Sequence, residues 1–289
     1  MNMQMLDASL SSDAAKWRDL VLSLPPDLQD LHYLPGYVKA YADEGGWPAL
    51  CSLVEAANGF VIYPHVVKAR QVATAYGYGA PLASVPIMAD QAWKPSGADV
   101  WFRTHPLLPA DHQPPGEREK RVVWIDLAGD PEAELRKGHK SSVAAARKAG
   151  VSIGTITLGE FYQMYLATME RLTAADRWRF SIKLLRDLRD AFPNGFHIMA
   201  AFYNGTPEAA CVLLRAFGTC YYHYAASWRR HPELGIGNML VVEAARWAKE
   251  QGDKRLHLGG GLTPDPDDSL LRFKTGFSSK QTWTHVFRG

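Results

Sequence analysis

Residues 196–258 carry an ordered set of signals that few folds accommodate. Three apolar, strand-like stretches at 196–203, 209–217 and 220–226 are separated by Asn204-Gly205 and Gly218-Thr219. Gly235-Ile236-Gly237 follows, then a helical stretch from Asn238 to Gln251 ended by Gly252, then a strand at 255–258. Short apolar strands punctuated by Asn-Gly-type turns form antiparallel hairpins. A glycine turn that feeds a helix N-terminus is a ready anion site, because unpaired amides and the helix dipole point at one spot. It can equally be an ordinary tight turn.

The first half reads less regularly. Trp17, Leu20, Val21 and Leu24 have helical spacing over 11–24, and Pro25-Pro26 stops them. A second helix is expected from Pro35 to Glu44, ended by Gly45-Gly46. Strands at 49–55 and 60–67 join across Asn58-Gly59, and further strands fit 99–104 and 121–127. The polar, proline-bearing 109–120 reads as an exposed connection. Asp130-Pro131 opens an expected helix over 131–149, followed by Gly150, a strand at 151–157 and helices at 158–175 and 181–192. The expected architecture is α+β with two halves divided near residue 130, as domains 1–130 and 131–289.

Composition excludes several classes. At 289 residues and 47% hydrophobic content, the chain can bury a full core and is long enough for two domains. Net charge is +2, so contact with nucleic acid requires a local patch. Cys51, Cys211 and Cys220 form no CxxC pair and read as small buried hydrophobes in a reducing cytosol. No apolar run reaches the ~18 residues of a membrane span. With no signal-peptide pattern at the N-terminus, the expectation is a cytoplasmic protein without membrane contact. Ten histidines lack HxxxH or HExxH spacing, so no metal site is expected. Walker, GxSxG and dinucleotide-binding motifs are missing from the sequence.

Chemistry concentrates near the C-terminus. His257-Leu258-Gly259-Gly260-Gly261 ends a short strand in three glycines, and Asp268-Ser269-Leu270-Leu271-Arg272-Phe273-Lys274-Thr275-Gly276-Phe277 follows. Glycines admit close backbone approach to a ligand. Lys274 is a compact charge between two aromatics and suits an oxyanion or phosphate; the plain alternative is a solvated lysine on an amphipathic helix. Phe273 and Phe277, four apart, share one helical face and would direct the lysine. Asp268 stands where a helix N-cap is wanted. His257 and Tyr224 are base candidates by proximity, or core residues. Basic residues also gather in one place: Arg136, Lys137, Lys140, Arg147 and Lys148 outnumber Glu132 and Glu134 on the 131–149 helix. Such a face can neutralise an RNA backbone or simply be solvated.

The β-β-β-α-β order with Gly235-Ile236-Gly237 at the strand-to-helix junction resembles the core of the GNAT acyltransferases. Pro232 stands where that family usually has Arg or Gln. Leu-Gly-Gly-Gly, a short acidic loop and Phe-Lys-x-Gly-Phe resemble the Fem family of tandem-GNAT transferases. Lys140–Val151 is similar to that family's basic helix, and Tyr76-Gly77-Tyr78-Gly79-Ala80-Pro81 to its first-domain loop. The chain lacks the long coiled-coil arm of some cell-wall members.

The resemblance implies two GNAT-like mixed-sheet domains in tandem and an amide-forming transferase that moves an aminoacyl group from aminoacyl-tRNA to the amine of a small molecule or peptide. On it, Lys274 and Phe273 are catalytic. Gly235, Gly237, Asn238, Gly259 and Gly260 hold the donor, and Arg136, Lys137, Lys140, Arg147 and Lys148 hold tRNA. Tyr37, Tyr76 and Tyr78 face the acceptor. No cofactor is implied. Two alternatives stay open: an N-acyltransferase using a coenzyme A thioester as co-substrate, and a non-catalytic binding protein on the same scaffold.

Overall fold

The computed structural model describes residues 2–86 and 99–289. The chain divides into two compact units, Met1–Lys120 with Thr282–Gly289, and Arg121–Gln281. The first contains β1 (Asn2–Asp7), α1 (Ser11–Ser23), α2 (Pro35–Gly45), β2 (Ala49–Ala56), β3 (Gly59–Lys68), β4 (Gln71–Ala73), β5 (Leu82–Ala83), β6 (Asp99–Arg103) and the start of β7 (Glu117–Asp126). The second contains the rest of β7, then α3 (Lys137–Lys148), β8 (Ser152–Gly154), α4 (Leu158–Arg171), α5 (Ile182–Ala191), β9 (Phe196–Tyr203), β10 (Thr206–Ala216), β11 (Thr219–Ser227), α6 (Ile236–Glu250), β12 (Arg255–Gly260) and α7 (Ser269–Lys274). β13 (Gln281–Arg288) returns the chain to the first unit.

In the first unit the sheet order is β1-β2-β3-β4-β6-β13, antiparallel except for β4–β6. The α1 residues Trp17 and Val21 are fully buried, and the Trp17 indole donates to the Tyr33 carbonyl at 2.7 Å. Gly46, at φ 66°, ends α2 in the left-handed conformation. Gly59 sits where a Cβ would lie 2.5 Å from Ser84 Oγ, so its bare backbone admits the segment that carries β5.

In the second unit the order is β7-β12-β11-β10-β9-β8. Asn204 and Gly205 both have positive φ, the two-residue turn whose twist suits a hairpin, and Tyr203 pairs with Thr206 across it. β10 is buried over seven consecutive residues. Ala209, Cys211 and Leu213 share one core with the α6 residues Ile236, Leu240 and Ala244. Strand alternation sends Ala210, Val212 and Leu214 to the opposite face. α6 is the crossover that makes β11 and β12 parallel.

Several sequence expectations need correction. The helix expected over 131–149 is a turn followed by α3. Asp130 Oδ1 accepts from Glu132 N at 3.0 Å and closes that turn, so Arg136 is an N-cap residue and not a helical one. The strand expected at 151–157 is only Ser152–Gly154. Part of the 109–120 connection is strand, because β7 begins at Glu117. The first hairpin pairs Ala56 with Gly59, so its turn is Ala57-Asn58; the third turn is Phe217-Gly218, one residue early. The units divide at Lys120/Arg121 and Gln281/Thr282, where the sequence alone points to one division near 130. Neither β1 nor β13 has a counterpart among the strands expected from sequence.

Candidate active site

The ladder between β11 and β12 ends early. Its pairs are Thr219 with Arg255, Cys220 with Leu256 and Tyr221 with His257, yet β11 runs to Ser227 and β12 to Gly260. On its other side, β12 pairs with β7 through an irregularity between His257 and Gly259. Gly259 adopts φ 73°, a conformation costly for other residues. The β12 end therefore leaves the β11 ladder at the Leu-Gly-Gly-Gly stretch.

Lys274 reaches this point. Its Nζ donates to the Gly260 carbonyl at 2.7 Å, and a Cβ on Gly259 would lie 3.5 Å from the same nitrogen. α7, which carries Lys274, has six residues, too few to be stable alone. Asp268 clamps its start. One carboxylate oxygen accepts from Leu271 N at 2.9 Å; the other accepts from Leu262 N and Thr263 N, both at 3.0 Å. Burial raises the Asp268 pKa, but these amide bonds outweigh it and hold the carboxyl below its ordinary value. A Cβ on Gly261 would meet Asp268 Oδ1 at 2.5 Å, so the third glycine makes room for this cap.

The end of α7 is held by the segment leading into α3. His139 Nε2 lies 2.9 Å from the Phe273 carbonyl, the Arg136 guanidinium bonds the Arg272 carbonyl, and Arg136 Nη2 lies 3.1 Å from Thr275 Oγ1. Arg136 N also donates to the Gly276 carbonyl at 2.9 Å. Phe277 is fully buried, and its ring meets Phe273 edge-on at 5.0 Å and His139 at 4.6 Å. Phe277 is thus a core anchor, while Phe273 is half-buried. Neither Arg136 nor His139 stands out in the sequence as a partner of the motif. The one signal that could have pointed to them is Gly276, a glycine marking close approach.

Gly235 has φ 66°, and a Cβ there would lie 2.5 Å from the Ser142 carbonyl oxygen. This glycine is required for α3 to approach the start of α6. Gly237 faces open space, and Asn238 is half-buried in the first turn of the helix. His257 is a core residue whose Nδ1 accepts from Gly259 N at 3.1 Å, and Tyr224 packs against Tyr165 and Phe180.

The five basic residues differ in their surroundings. Arg147 is bonded to Glu132 at 2.7 and 3.1 Å and reaches Glu243 at 3.3 Å; Arg246 pairs with the same two carboxylates. Hydrogen bonds donated to Glu132 raise the Arg147 pKa. Lys137, Lys140 and Lys148 are exposed and take part in no ion pair among the described residues.

In the first unit Tyr37 and Tyr78 pack against a buried polar cluster, and Tyr76 lies against Tyr41. Asp30 Oδ1 lies 2.6 Å from His32 Nδ1, and Asp30 Oδ2 lies 3.3 Å from His105 Nε2. Tyr37 and Tyr78 meet His32 edge-on at 4.7 and 4.9 Å, and Tyr76 stacks on Tyr41 at 4.5 Å. Arg103 pairs with Glu119 at 2.5 and 2.6 Å and donates to the Gly77 carbonyl at 3.1 Å, pinning the loop. Ligand atoms of Asp30, His32 and His105 lie within 4.8 Å of one another, the spacing of a metal site. Their hydrogen bonds argue otherwise. A metal-bound histidine donates its second ring N–H outward, whereas His105 Nδ1 accepts from Leu107 N at 3.2 Å. Burial lowers the His32 pKa, leaving it neutral, and its Nδ1–H supplies Asp30 with a donor. The cluster reads as a satisfied carboxylate supporting the loop.

These features define a mixed α+β protein with two GNAT-like domains in tandem. Residues 133–274 match the family model described as an acetyltransferase (GNAT) domain. FemX resembles the whole chain, with TM-score 0.68 at 12% identity, covering 100% of this chain and 97% of that one. A tandem GNAT protein from the clavulanic acid biosynthesis pathway gives 0.53 at 12%, covering 99% and 98%. L-PGS from Bacillus licheniformis gives 0.55 at 13%, covering 86% and 85%. No curated protein matches the chain by sequence. The fold is that of the Fem-like tandem-GNAT proteins. Among the described residues, no helix is long and apolar enough to cross a membrane.

Proposed function

We propose that the protein is an amide-forming acyltransferase whose donor is held by the second unit, and that this donor is aminoacyl-tRNA. The observation that carries the reading is Lys274, held at 2.7 Å from the Gly260 carbonyl where β12 leaves β11. An amine attacking the ester carbonyl builds negative charge on its oxygen, and collapse then expels the ribose oxygen. The bond to the Gly260 carbonyl fixes the direction of the ammonium. Lys274 stabilises the oxyanion or the leaving oxygen as charge develops. The attacking nitrogen gives up a proton as the amide forms, and the ribose oxygen leaves as a hydroxyl. The start of α6, with Gly237 and Asn238, takes the donor's phosphate or ribose. Lys137, Lys140 and Lys148 contact RNA phosphates, with Arg136 beside them. In the first unit, half-buried Tyr76 forms the acceptor side, for a small-molecule or peptide amine, with Tyr37 and Tyr78 buried behind it. Cytoplasmic aminoacyl-tRNA suits this reading.

A coenzyme A thioester donor is the second reading. The acetyltransferase domain model over 133–274 favours it, as does the clavulanic-pathway protein, which is described as a structure without AcCoA. Transfer assays with charged tRNA minihelices and, separately, acetyl-coenzyme A decide between them. Binding of either with no product would leave the scaffold a binding protein.

A further inference from the structure

We propose that His139 and Arg136 are positioning residues that aim Lys274, so that the segment leading into α3 serves the chemistry as a brace for α7. The inference rests on the reading of Lys274 as the cation that acts at the reacting carbonyl. α7 has only six residues, and its direction depends on what grips its two ends. Asp268 grips the start through Leu271 N. At the other end, the Arg272 and Phe273 carbonyls accept from Thr275 Oγ1 and Gly276 N, both at 3.1 Å, and Arg136 and His139 each add a second donor from outside the helix.

The contacts bracket Lys274 in sequence. The Arg136 guanidinium takes the Arg272 carbonyl, His139 takes that of Phe273, and Arg136 N takes that of Gly276. Carbonyl oxygens only accept, so His139 Nε2 carries the proton. Burial lowers the His139 pKa more than the Phe273 bond raises it, and the imidazole is neutral. Two cationic partners at a helix C-terminus would suit the dipole; one cation and one neutral donor hold the carbonyls without a second charge beside Lys274. Gly276 completes the device. A Cβ at that position would collide with the His139 ring, so the glycine of Phe-Lys-x-Gly-Phe is the space into which the brace fits. Phe277, buried beneath the same imidazole, fixes the ring plane.

The test compares His139→Phe, which keeps a ring on Phe277 but loses the donor, with His139→Gln, whose amide nitrogen can replace Nε2. Each is made in the full chain and in a Lys274→Ala background. His139→Phe should lower kcat about tenfold or more, as small misplacements of catalytic groups do, with the donor KM within about twofold. His139→Gln should stay within about threefold of wild type. His139→Phe should cost nothing further once Lys274 is alanine, since the two act as one unit. An unchanged kcat in His139→Phe, or a loss that adds fully to that of Lys274→Ala, overturns the inference.

A second readout separates this from failure of the functional reading. Lysines methylated with 13C-formaldehyde give resolved NMR signals, and that of Lys274 is identified by its loss in Lys274→Ala. It should shift in His139→Phe and in Arg136→Met, and keep its wild-type position in His139→Gln. Arg136 is exposed, so its variant leaves the core intact and keeps the test decisive if His139→Phe does not fold. A Lys274 signal indifferent to both His139→Phe and Arg136→Met overturns the brace, whatever the enzyme transfers. Retained turnover in Lys274→Ala would instead sink the function reading alone.

Discussion

The ammonium of Lys274 donates to the carbonyl oxygen of Gly260 at 2.7 Å, joining the last turn of α7 to the glycine end of β12. This bond places a directed cation beside backbone that has left its neighbouring strand. Lys274→Ala should reduce transfer by about a hundred- to thousandfold, the usual effect of removing one oxyanion donor. Lys274 is only half-buried, so the melting temperature should stay within a few degrees. Steady-state turnover and a thermal melt of the same preparation check both.

Gly235 and Gly237 should separate, although both read from sequence as donor-binding glycines. Gly235→Val forces a branched residue to φ 66° and into the Ser142 carbonyl, and should destabilise the fold by about 1–3 kcal/mol. Gly237→Val meets open space and should leave the melt almost unchanged while weakening donor binding. Denaturant titration and donor affinity, measured for both, give the comparison. Equal stability of the two variants would contradict the close approach of α3 to α6.

Among the basic residues, charge reversal at Lys137, Lys140 and Lys148 should raise KM for aminoacyl-tRNA and leave kcat nearly intact. Phosphate contacts position a substrate without entering the chemistry. The slope of log affinity against log salt should fall by about one unit for each lysine that no longer neutralises a phosphate. Arg147→Glu should behave differently, because it leaves Glu132 and Glu243 facing a third carboxylate. Its main effect should be on stability, read as a lowered melting temperature.

Acid should weaken the protein in a defined window. His65 is buried beneath the sheet surface, and burial depresses its pKa from 6.5 to about 4. His32 and His139 are lowered for the same reason. A histidine with a depressed folded pKa takes up its proton first in the unfolded chain. For His65, stability is therefore full above about pH 6.5 and falls by about 1.4 kcal/mol per pH unit as pH drops toward 4. Urea titrations between pH 7 and 4 measure the slope. His65→Leu should flatten it.

Local chemistry decides what was legible in the sequence. The turn at Asn204-Gly205, the cap at Asp268 and the stop at Gly46 act through their own residues, and each stands where the sequence puts it. Asp130-Pro131 carries equally good helix-start signals but closes a turn through the Asp130 carboxylate and Glu132 N, and α3 begins only at Lys137. β13 pairs with residues about 180 positions earlier, and no local signal encodes that. The site divides in the same way. Lys274, Gly259 and Gly260 meet because they lie within 16 residues of one another, whereas Arg136 and His139 reach α7 from more than 130 residues away. The Asp30–His105 pair is hidden for the same reason.

The most direct test of aminoacyl transfer is a single-turnover reaction, with a labelled amino acid on a charged tRNA minihelix and a mixture of small amines and short peptides with free N-termini. The wild-type protein should form a labelled amide, Lys274→Ala should not, and rising salt should suppress the product steeply. Robust acetylation of the same mixture from acetyl-coenzyme A, with no amide formed from charged tRNA at any salt concentration, would contradict the tRNA donor.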